Sequence, residues 1–592
     1  MITMPDLERE LRGAVALDEA RALITRFSTL TRDSGEPDEL VAGDYIASRL
    51  EALGIPFTLH RPELFLSIPE RAELRVVDPA PGAPIACRPP AFSLSTGGAE
   101  VGGHLVYVPS RYAGGTADLF DTPEAASASL ATDPVRGQIV LTEGYAMPGP
   151  VLAFERRGAI AQIYIHSGRD IHEGICTSIW GAPTPESIGR KPRTPVVSVN
   201  HADGDRLIAL VASGGVRVSL WTWLKEHWTT CLVPVAEIRG TDDPDEFLLV
   251  HGHYDSWYVG IGDNATGDAA LLELARVLWR FRDRLKRSVR VAWWPGHSTG
   301  RYAGSTWYAD QFADEIDEWC LAHLNIDSPG CAGAMAYEEV MWMAEAGALC
   351  TDAIRDAVGA TATGLRPLRA GDYSFNQIGP TAFYMLLSNI PQEARRARGY
   401  YAVGGCGGSP VWHTPHDGPG VEDYDVLLRD LHVYVTTILR ALNAPLYPFD
   451  YAAAASEIAE AVLRYHEAAA GEVDLSPILE DVHELREAIT TWRAEADRAV
   501  AATPGDAALR RRANATLRRL ARILVPLNYA RGERFDHDPA VKLGVVPRLE
   551  PAARVAAADP TMRPFMRTGL VRERNKIRAM LRQARRELAA GV

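Results

Sequence analysis

A short apolar run followed by two polar residues is the feature that most constrains the fold of this chain. Residues 247–250 are apolar and bounded by polar residues, which is typical of a buried strand. His253 and Asp255 follow two positions apart, so their side chains leave the strand end on the same face. Asp263 comes next, in a turn rich in Gly and Asn, and the apolar-periodic segment 269–275 follows it. The stretch predicts a buried strand, a turn and a helix.

The polar residues of this stretch have the chemistry of metal ligands. Imidazole and carboxylate groups are good ligands for zinc and similar divalent metals. A carboxylate at a helix entry, such as that of Asp263, can bridge two cations. The alternative is a plain strand-turn-helix whose turn is polar for structural reasons. This stretch alone leaves both interpretations open, and the later residues decide between them.

Composition excludes several classes of protein. The chain has 592 residues, enough for about three domains, and 47% hydrophobic with 23% charged residues argues against a mainly disordered chain. A net charge of −14 disfavours nucleic acid as a partner. The arginine-rich runs near Arg395 and Arg510 are therefore expected to be solvated helix faces. Arg301 is likewise expected to be a solvated charge. For Arg301 and for the run at 395–398, the alternative is that they bind an acidic group.

The cysteines and the N-terminal residues bear on location. Seven cysteines are scattered without a C-x-x-C pair, which predicts reduced thiols and a cytoplasmic setting. The first residues lack a basic region followed by an apolar one, so we expect no signal peptide. No run approaches the length of a membrane span, so we expect no membrane partner.

Changes of sequence texture divide the chain into four parts. Residues 1–61 are predicted to hold N-terminal helices and the first strand of the main domain. In residues 62–222, short β-type runs alternate with Gly/Pro turns, which predicts a separate β-rich insert. In residues 223–446, strands alternate with amphipathic helices, which is the pattern of an open α/β sheet. Residues 447–592 have helical texture only.

Three further polar positions follow apolar runs or lie in turns of the main domain. Asp327 ends the run 321–326, and His413 lies in the turn Trp-His-Thr-Pro-His-Asp at 412–417. His297 also follows an apolar run. Functional residues of open α/β sheets gather at the carboxyl ends of strands, so these positions are expected to meet His253.

The ligand order resembles that of the co-catalytic zinc aminopeptidase/carboxypeptidase clan; the four residues in order are His253, Asp263, Asp327 and His413. Residues 135–141, 157–161 and 194–199 resemble a protease-associated domain. The tail at 447–451, 518–531 and 547–550 narrows the resemblance to the transferrin-receptor and glutamate-carboxypeptidase branch. The resemblance implies an open mixed α/β sheet with flanking helices, a protease-associated β-rich insert at 62–222, and a helical domain that forms a homodimer.

The resemblance also implies a role for each matching residue. His253 and Asp327 would bind one metal, Asp263 would bridge, and His413 would bind a second metal. Asp255 would orient His253 through the other ring nitrogen of that imidazole. The implied cofactor is a divalent metal, zinc first, as one or two ions.

One segment departs from the family pattern. The family carries Trp-x-x-Glu-Glu-x-Gly-x-x-Gly-Ser, in which the first Glu is the general base and the second a metal ligand. This chain has Trp-Pro-Gly-His-Ser-Thr-Gly-Arg-Tyr-Ala-Gly-Ser at 294–305. The segment is one residue longer than the family pattern. If the residues are counted from Trp294, His297 falls at the position of the general base; if the extra residue is placed before His297, His297 falls at the position of the ligand. Serine is a poor zinc ligand, so we favour His297 as ligand; a His that fills a loop of an inactive site is the third interpretation.

The loss of both glutamates changes the expected chemistry. Water activated by a metal still needs a proton acceptor, and the candidates in the sequence are Asp255, Asp372, His416 and Tyr254. We predict a metal-dependent hydrolase of a small amide, peptide or related C–N bond, with His297 and Asp255 in the catalytic machinery. The alternatives are an ordinary aminopeptidase or carboxypeptidase, a non-catalytic metal-binding or receptor-like relative, and a metal-dependent lyase or cyclotransferase.

Overall fold

The computed structural model describes residues 3–119 and 135–589 of the chain. It contains two six-stranded sheets with flanking helices and a helical C-terminal region, so the predicted fold class is confirmed. The described strands are β1 (Phe57–His60), β2 (Glu63–Asp78), β3 (Val101–Tyr107), β4 (Ile139–Glu143), β5 (Ala161–Ile165), β6 (Val196–Val199), β7 (Arg217–Thr230), β8 (Val233–Ile238), β9 (Asp243–His253), β10 (Arg287–Trp294), β11 (Cys320–Asn325), β12 (Val340–Met341), β13 (Gly364–Leu365) and β14 (Thr381–Phe383).

The described helices surround these sheets and form the C-terminal region. They are α1 (Met4–Ala14), α2 (Asp18–Phe27), α3 (Pro37–Ala52), α4 (Pro148–Arg156), α5 (His201–Ser213), α6 (Thr266–Arg280), α7 (Ala303–Gln311), α8 (Ala313–Trp319), α9 (Gly347–Val358), α10 (Gln392–Ala397), α11 (Tyr424–Asn443), α12 (Tyr451–Ala468), α13 (Ser476–Ala502), α14 (Ala507–Tyr529), α15 (Ala552–Val555) and α16 (Arg563–Ala589). Among them, none is both long and apolar enough to cross a bilayer.

The main sheet has the order β1-β8-β10-β9-β11-β14 and carries the polar strand ends. Strand β9 lies parallel to β10 and β11, and Trp294 of β10 pairs with His253 of β9. Parallel pairing in this register brings the carboxyl ends of all three strands to one edge. The segments that follow these ends hold Asp255, His297 and Asp327, which is why residues far apart in sequence meet there.

The second sheet lies within the predicted insert and has the order β2-β7-β3-β4-β5-β6. Strands β2 and β7 form a long antiparallel pair that runs from Glu63 opposite Thr230 to Asp78 opposite Arg217. The pair therefore continues past the predicted boundary at residue 222. This long ladder joins the insert to the main domain at its Glu63–Thr230 end. The identification of the insert as a protease-associated domain stays a prediction.

A buried arginine ties the N-terminal segment to the chain that leaves β9. The guanidinium of Arg32 is fully buried and donates to the carbonyls of Tyr254, Val259 and Gly260 at 2.8, 2.7 and 2.9 Å. In return the N–H of Ser256 donates to the carbonyl of Arg32 at 3.0 Å. These contacts fix the loop between β9 and α6, in which the turn residue Asp263 lies.

Replacing Arg32 with Met is expected to destabilise this loop. Three buried carbonyls would lose their donor, at a cost of at least about 2 kcal/mol. Calorimetric melting should show a lower transition temperature than in the wild type. The matched control is Arg9→Met, because the Arg9 side chain is 74% exposed. Equal transition temperatures of the Arg32 and Arg9 variants would contradict a stabilising role for the three Arg32 contacts.

Candidate metal centre

Asp263 lies between two imidazoles, as the sequence predicts for a bridging carboxylate. Its Oδ1 is 3.1 Å from Nε2 of His253, and its Oδ2 is 3.0 Å from Nε2 of His413. The three residues come from the end of β9, the following turn and a turn 150 residues later. One carboxylate therefore presents one oxygen to each of two imidazoles.

The atoms between these groups fit a divalent cation. Nε2 of His253 and Oδ1 of Asp263 are buried and make no hydrogen bond of acceptable geometry, although they lie close together. Oδ2 of Asp327 is 3.9 Å from the same Nε2. Burial and the neighbouring Asp263 raise the pKa of Asp327 to about 6. Two buried carboxylates and converging imidazole nitrogens are the donor set that zinc accepts.

His297 lies on the His253 side of this cluster. Its ring stacks on the ring of His253 with centroids 3.7 Å apart. The candidate ligand atoms of His253, His297 and Asp327 all lie within 4.8 Å of one another. His297 therefore faces the cluster instead of turning away from it. Its role as a ligand, which we favour from the sequence, agrees with this placement and stays a proposal.

A buried carboxylate holds the His297 ring from behind. Oδ2 of Asp372 lies 3.0 Å from Nδ1 of His297, and Oδ1 of Asp372 accepts from Oγ of Ser305 at 2.7 Å. Asp372 has no exposed surface. Because Nδ1 is engaged with this carboxylate, Nε2 is the nitrogen of His297 left for a ligand. A carboxylate on the far nitrogen is the usual support of a histidine that binds a metal.

Asp255 contacts His253 at the predicted ring nitrogen, and it does so with its backbone carbonyl. Nδ1 of His253 donates to the backbone carbonyl of Asp255 at 2.9 Å, whereas the carboxylate is 3.7 Å away. The Asp255 carboxylate is engaged elsewhere, because it accepts three other hydrogen bonds. The donors are the N–H of His297, the N–H of Ser298 and the hydroxyl of Ser34, at 3.0, 2.9 and 2.8 Å.

The Asp255 carboxylate therefore shapes the loop that carries His297. Gly296 in this loop has φ +69° and donates its N–H to Oγ of Ser34 at 3.0 Å. Burial raises the pKa of Asp255, but His253, His297 and the Ser298 N–H together lower it to about 2. The group is thus a buried anion that binds backbone donors, which leaves it no free oxygen for proton transfer.

His413 is held by the insert. Its Nδ1 donates to the backbone carbonyl of Glu173 at 2.9 Å, and its ring stacks on Trp412 with centroids 3.7 Å apart. The insert thus orients a candidate ligand of the main domain. Two candidate metal positions can thus be compared among the described residues. The first is the group of His253, His297 and Asp327, with Asp263 beside it, and the second has Asp263 and His413.

The site opens into a small pocket with walls from both sheets. The cavity is about 70 Å³ and is reached by Asp263, His297, Asp327 and His413. The insert contributes the other wall; its lining residues include Tyr145, Met147, His166, His172, Glu173 and Ile175. The cavity is therefore confined by residues 78 or more positions before His253, the first candidate ligand.

Sequence reasoning missed the burial of two charged residues of this pocket. Glu173 is 7% exposed, and its Oε1 accepts from the hydroxyl of Tyr258 at 2.6 Å. Arg301 is 3% exposed, so the expectation of a solvated charge is wrong. The same expectation is wrong for Arg395, which is 9% exposed and pairs with Glu339 at 3.0 Å. These residues are buried by tertiary packing, and the sequence around a single Glu or Arg in a turn does not indicate whether that residue is buried.

The four residues that the sequence offers as substitutes for the lost general base each have another hydrogen-bond or ion-pair partner. Asp255 and Asp372 are occupied as described above. The hydroxyl of Tyr254 donates to the carbonyl of Leu232 at 2.7 Å. The side chain of His416 is 52% exposed and lies 3.4 Å from Asp170.

Three comparisons with known proteins agree with this geometry. Residues 234–429 match the model of Peptidase family M28. Leucine aminopeptidase 2 of Trichophyton equinum is 34% identical over 143 residues, which are 24% of this chain and 28% of that protein. The chain thus matches little more than a quarter of the length of this relative.

Two solved structures have a similar fold. The aminopeptidase from Aneurinibacillus sp. strain AM-1 has a TM-score of 0.52 at 18% identity, and the match covers 74% of this chain and 96% of that one. A zinc aminopeptidase from Bacillus subtilis has a TM-score of 0.51 at 19% identity, covering 72% and 95%. At these identities the likeness concerns the fold. Together with the donor set, the family match supports a divalent metal at the site.

Replacing Asp255 with Asn is expected to loosen the His297 loop. The amide keeps one acceptor but places an NH₂ group against backbone N–H donors, so the loop must shift. Zinc affinity, measured by competition with a chelator, should fall about 10- to 100-fold. The control Asp245→Asn changes a side chain that is 68% exposed. Wild-type affinity in the Asp255 variant would contradict the positioning role.

Proposed function

We propose that the protein is a metal-dependent peptidase that hydrolyses short peptides, in keeping with the match of residues 234–429 to the model of Peptidase family M28. The observation that carries the proposal is the placement of Asp263 between His253 and His413, with His297 and Asp327 beside it. A non-peptide C–N bond, which we also considered from the sequence, has no support in the relatives.

We propose that His297 takes the place of a carboxylate ligand and that the first metal position is the stronger one. His253, His297 and Asp327 would hold the ion there, and Asp263 would add a fourth donor or bridge to His413. Two imidazoles and a carboxylate with an open position make a catalytic zinc site. Replacing an anionic donor with a neutral one leaves more positive charge on the site, which favours binding of a carbonyl oxygen.

The residues of the chain would divide the remaining work among them. When bound, a divalent ion supplies a Lewis acid that polarises the scissile carbonyl. Asp372 holds the His297 ring, Asp255 holds the loop, and the Glu173 carbonyl holds His413. The walls of the pocket exclude bulk water and confine the substrate, since both sheets contribute to a cavity of about 70 Å³.

Glu173 is the carboxylate that we propose as proton acceptor. It lines the same pocket as the cluster, and its backbone touches His413. Burial raises the pKa of its carboxyl group. A carboxylate with a raised pKa is a better base near neutral pH than an ordinary one. The insert would then supply the function that the segment 294–305 has lost.

Hydrolysis of short peptides by the zinc-loaded protein is the direct test of this function. A panel of di- and tripeptides, separated by chromatography with mass detection, should show cleavage that stops on chelation and returns with zinc. An ordinary aminopeptidase would release the first residue from peptides of any length. Stoichiometric zinc with no cleavage of any peptide would contradict the proposal and favour a binding protein.

Replacing His297 with Ala is expected to remove the tightly held ion. Elemental analysis after gel filtration should give about one zinc per chain for the wild type and much less for this variant. His413→Ala is the matched control, since it removes an imidazole from the second position only. Retention of zinc by His297→Ala with loss in His413→Ala would overturn the proposed order of the two positions.

Replacing Glu173 with Gln is expected to lower kcat about 10²- to 10⁴-fold, because losing a general base has that effect. The isosteric amide can keep the contact with Tyr258, so KM and zinc content should change little. Tyr258→Phe serves as the control, because it removes the hydrogen bond to Glu173 but leaves the carboxylate. Unchanged kcat in Glu173→Gln would exclude the role.

The homodimer through residues 447–592 and the cytoplasmic location stay predictions. Gel filtration with light scattering tests the first, and fractionation of the source cells tests the second.

A further inference from the structure

Arg301 is a buried cation that has no ion-pair partner among residues 3–119 and 135–589. It follows His297 by four residues, lies in the same loop and lines the same pocket. The side chain is 3% exposed, and its Nε and one terminal nitrogen have no hydrogen-bond acceptor among the described residues. No carboxylate in the described part of the chain forms an ion pair with it. A buried charge left unpaired is costly, so such a group is expected to meet a ligand.

The backbone around Arg301 is held in place rather than loose. Arg301 and Tyr302 both have positive φ, at 49° and 69°. The carbonyl of Arg301 accepts from the N–H of Gly181 at 2.7 Å, and the N–H of Tyr302 donates to the carbonyl of His297 at 3.2 Å. The guanidinium carbon lies 5.0 Å from the centroid of the Tyr302 ring. The loop that presents His297 to the metal position thus also presents a guanidinium to the pocket.

A second buried arginine, Arg369, adds positive charge near Arg301. Arg369 is 6% exposed, lies 3.7 Å above the ring of Trp180, and donates only to the backbone carbonyls of Tyr373 and Asp538. Burial lowers the pKa of Arg369 to about 10, and Arg301 contributes to the lowering. Arg369 thus adds positive charge beside Arg301, while Arg301 is the arginine that lines the pocket itself.

We propose that Arg301 binds a carboxylate of the substrate, so that the protein acts on peptides with a free carboxylate beside the scissile bond. A guanidinium fits a carboxylate through two parallel hydrogen bonds, which is the strongest pairing that a planar anion makes with a side chain. The inference rests on the proposed function for the identity of the substrate, but the anion site itself does not. The carboxylate can come from the peptide C-terminus or from an acidic side chain.

The apolar lining near Arg301 limits the rest of the ligand. Leu368, Ala370 and Met385 line the pocket with it, and Met385 fills the space beside Gly371. A ligand with a small apolar group next to a carboxylate would fit both the apolar lining and the guanidinium of Arg301. A free α-amine gains nothing from this wall, because a second cation there would be repelled.

Binding of small carboxylates measures this site apart from catalysis. The probes are N-acetylleucine, its amide N-acetylleucinamide, and N-acetylisoglutamine, in which only the side chain carries a carboxylate. Calorimetry is carried out on metal-free protein, because a carboxylate could also bind a zinc ion. We expect at least one acid to bind about 100-fold more tightly than the amide, since a buried, hydrogen-bonded charge pair is worth that much. Which acid binds better assigns the source of the carboxylate.

The variants test whether Arg301 makes the distinction. Arg301→Met keeps the length and packing of the side chain and should abolish the preference for the acid, while Arg301→Lys should keep part of it. Arg169→Met is the matched control, because that side chain is 84% exposed and is not part of the pocket lining. Unchanged folding is checked by circular dichroism.

The outcomes separate the two proposals. Preference for an acid that Arg301→Met removes supports the anion site even if no peptide is hydrolysed, in which case only the proposed function fails. With active enzyme, kcat/KM for Leu-Ala over Leu-Ala amide, or for a peptide with Glu over its Gln counterpart, should show the same dependence on Arg301. Equal or undetectable binding of acids and amide by the wild type, or a preference that survives Arg301→Met, would overturn the assignment.

Discussion

The buried carboxylate of Asp255 is the contact on which the site depends. It accepts from Ser34 of the N-terminal segment and from the backbone of His297 and Ser298, and it lies two residues beyond His253 at the end of β9. One anion thereby joins three segments that are distant in sequence. Because its oxygens are filled by these donors, the loop at 294–305 has one favourable position, with the His297 ring stacked on His253. The Asp372 carboxylate then fixes that ring from its other side.

The convergence of the candidate ligands of the first metal position could be predicted from the sequence, because each ligand lies at a recognisable strand end or helix entry. His253, Asp263 and Asp327 each follow an apolar run or enter a helix, and parallel pairing of β9 with β10 and β11 brings such positions together. The atom of Asp255 that contacts His253 could not be predicted, since a sequence pattern does not distinguish the backbone carbonyl of a residue from its side-chain carboxylate. The burial of Arg301 and Glu173 was also beyond prediction, because it arises from the packing of the insert against the main domain.

The pocket contains charges of both signs. Asp263 and Asp327 lie at the proposed metal position and Glu173 lines the same pocket, whereas Arg301 is basic and shares the loop of His297. A cation among the carboxylates and an anion at the guanidinium would neutralise both ends. The loop 294–305 differs from the pattern it resembles at both glutamate positions, and it brings an imidazole and a guanidinium to the same small pocket. Under the two proposals, metal binding and substrate selection would both depend on this loop.

Anomalous diffraction at the zinc edge from crystals of the zinc-loaded protein tests the central claim most directly. The account predicts a strong peak bonded to His253, His297 and Asp327, with Nε2 of His297 about 2.0–2.1 Å from the ion, the usual zinc–nitrogen distance. A peak held by Asp263 and His413 with His297 outside bonding distance would contradict it.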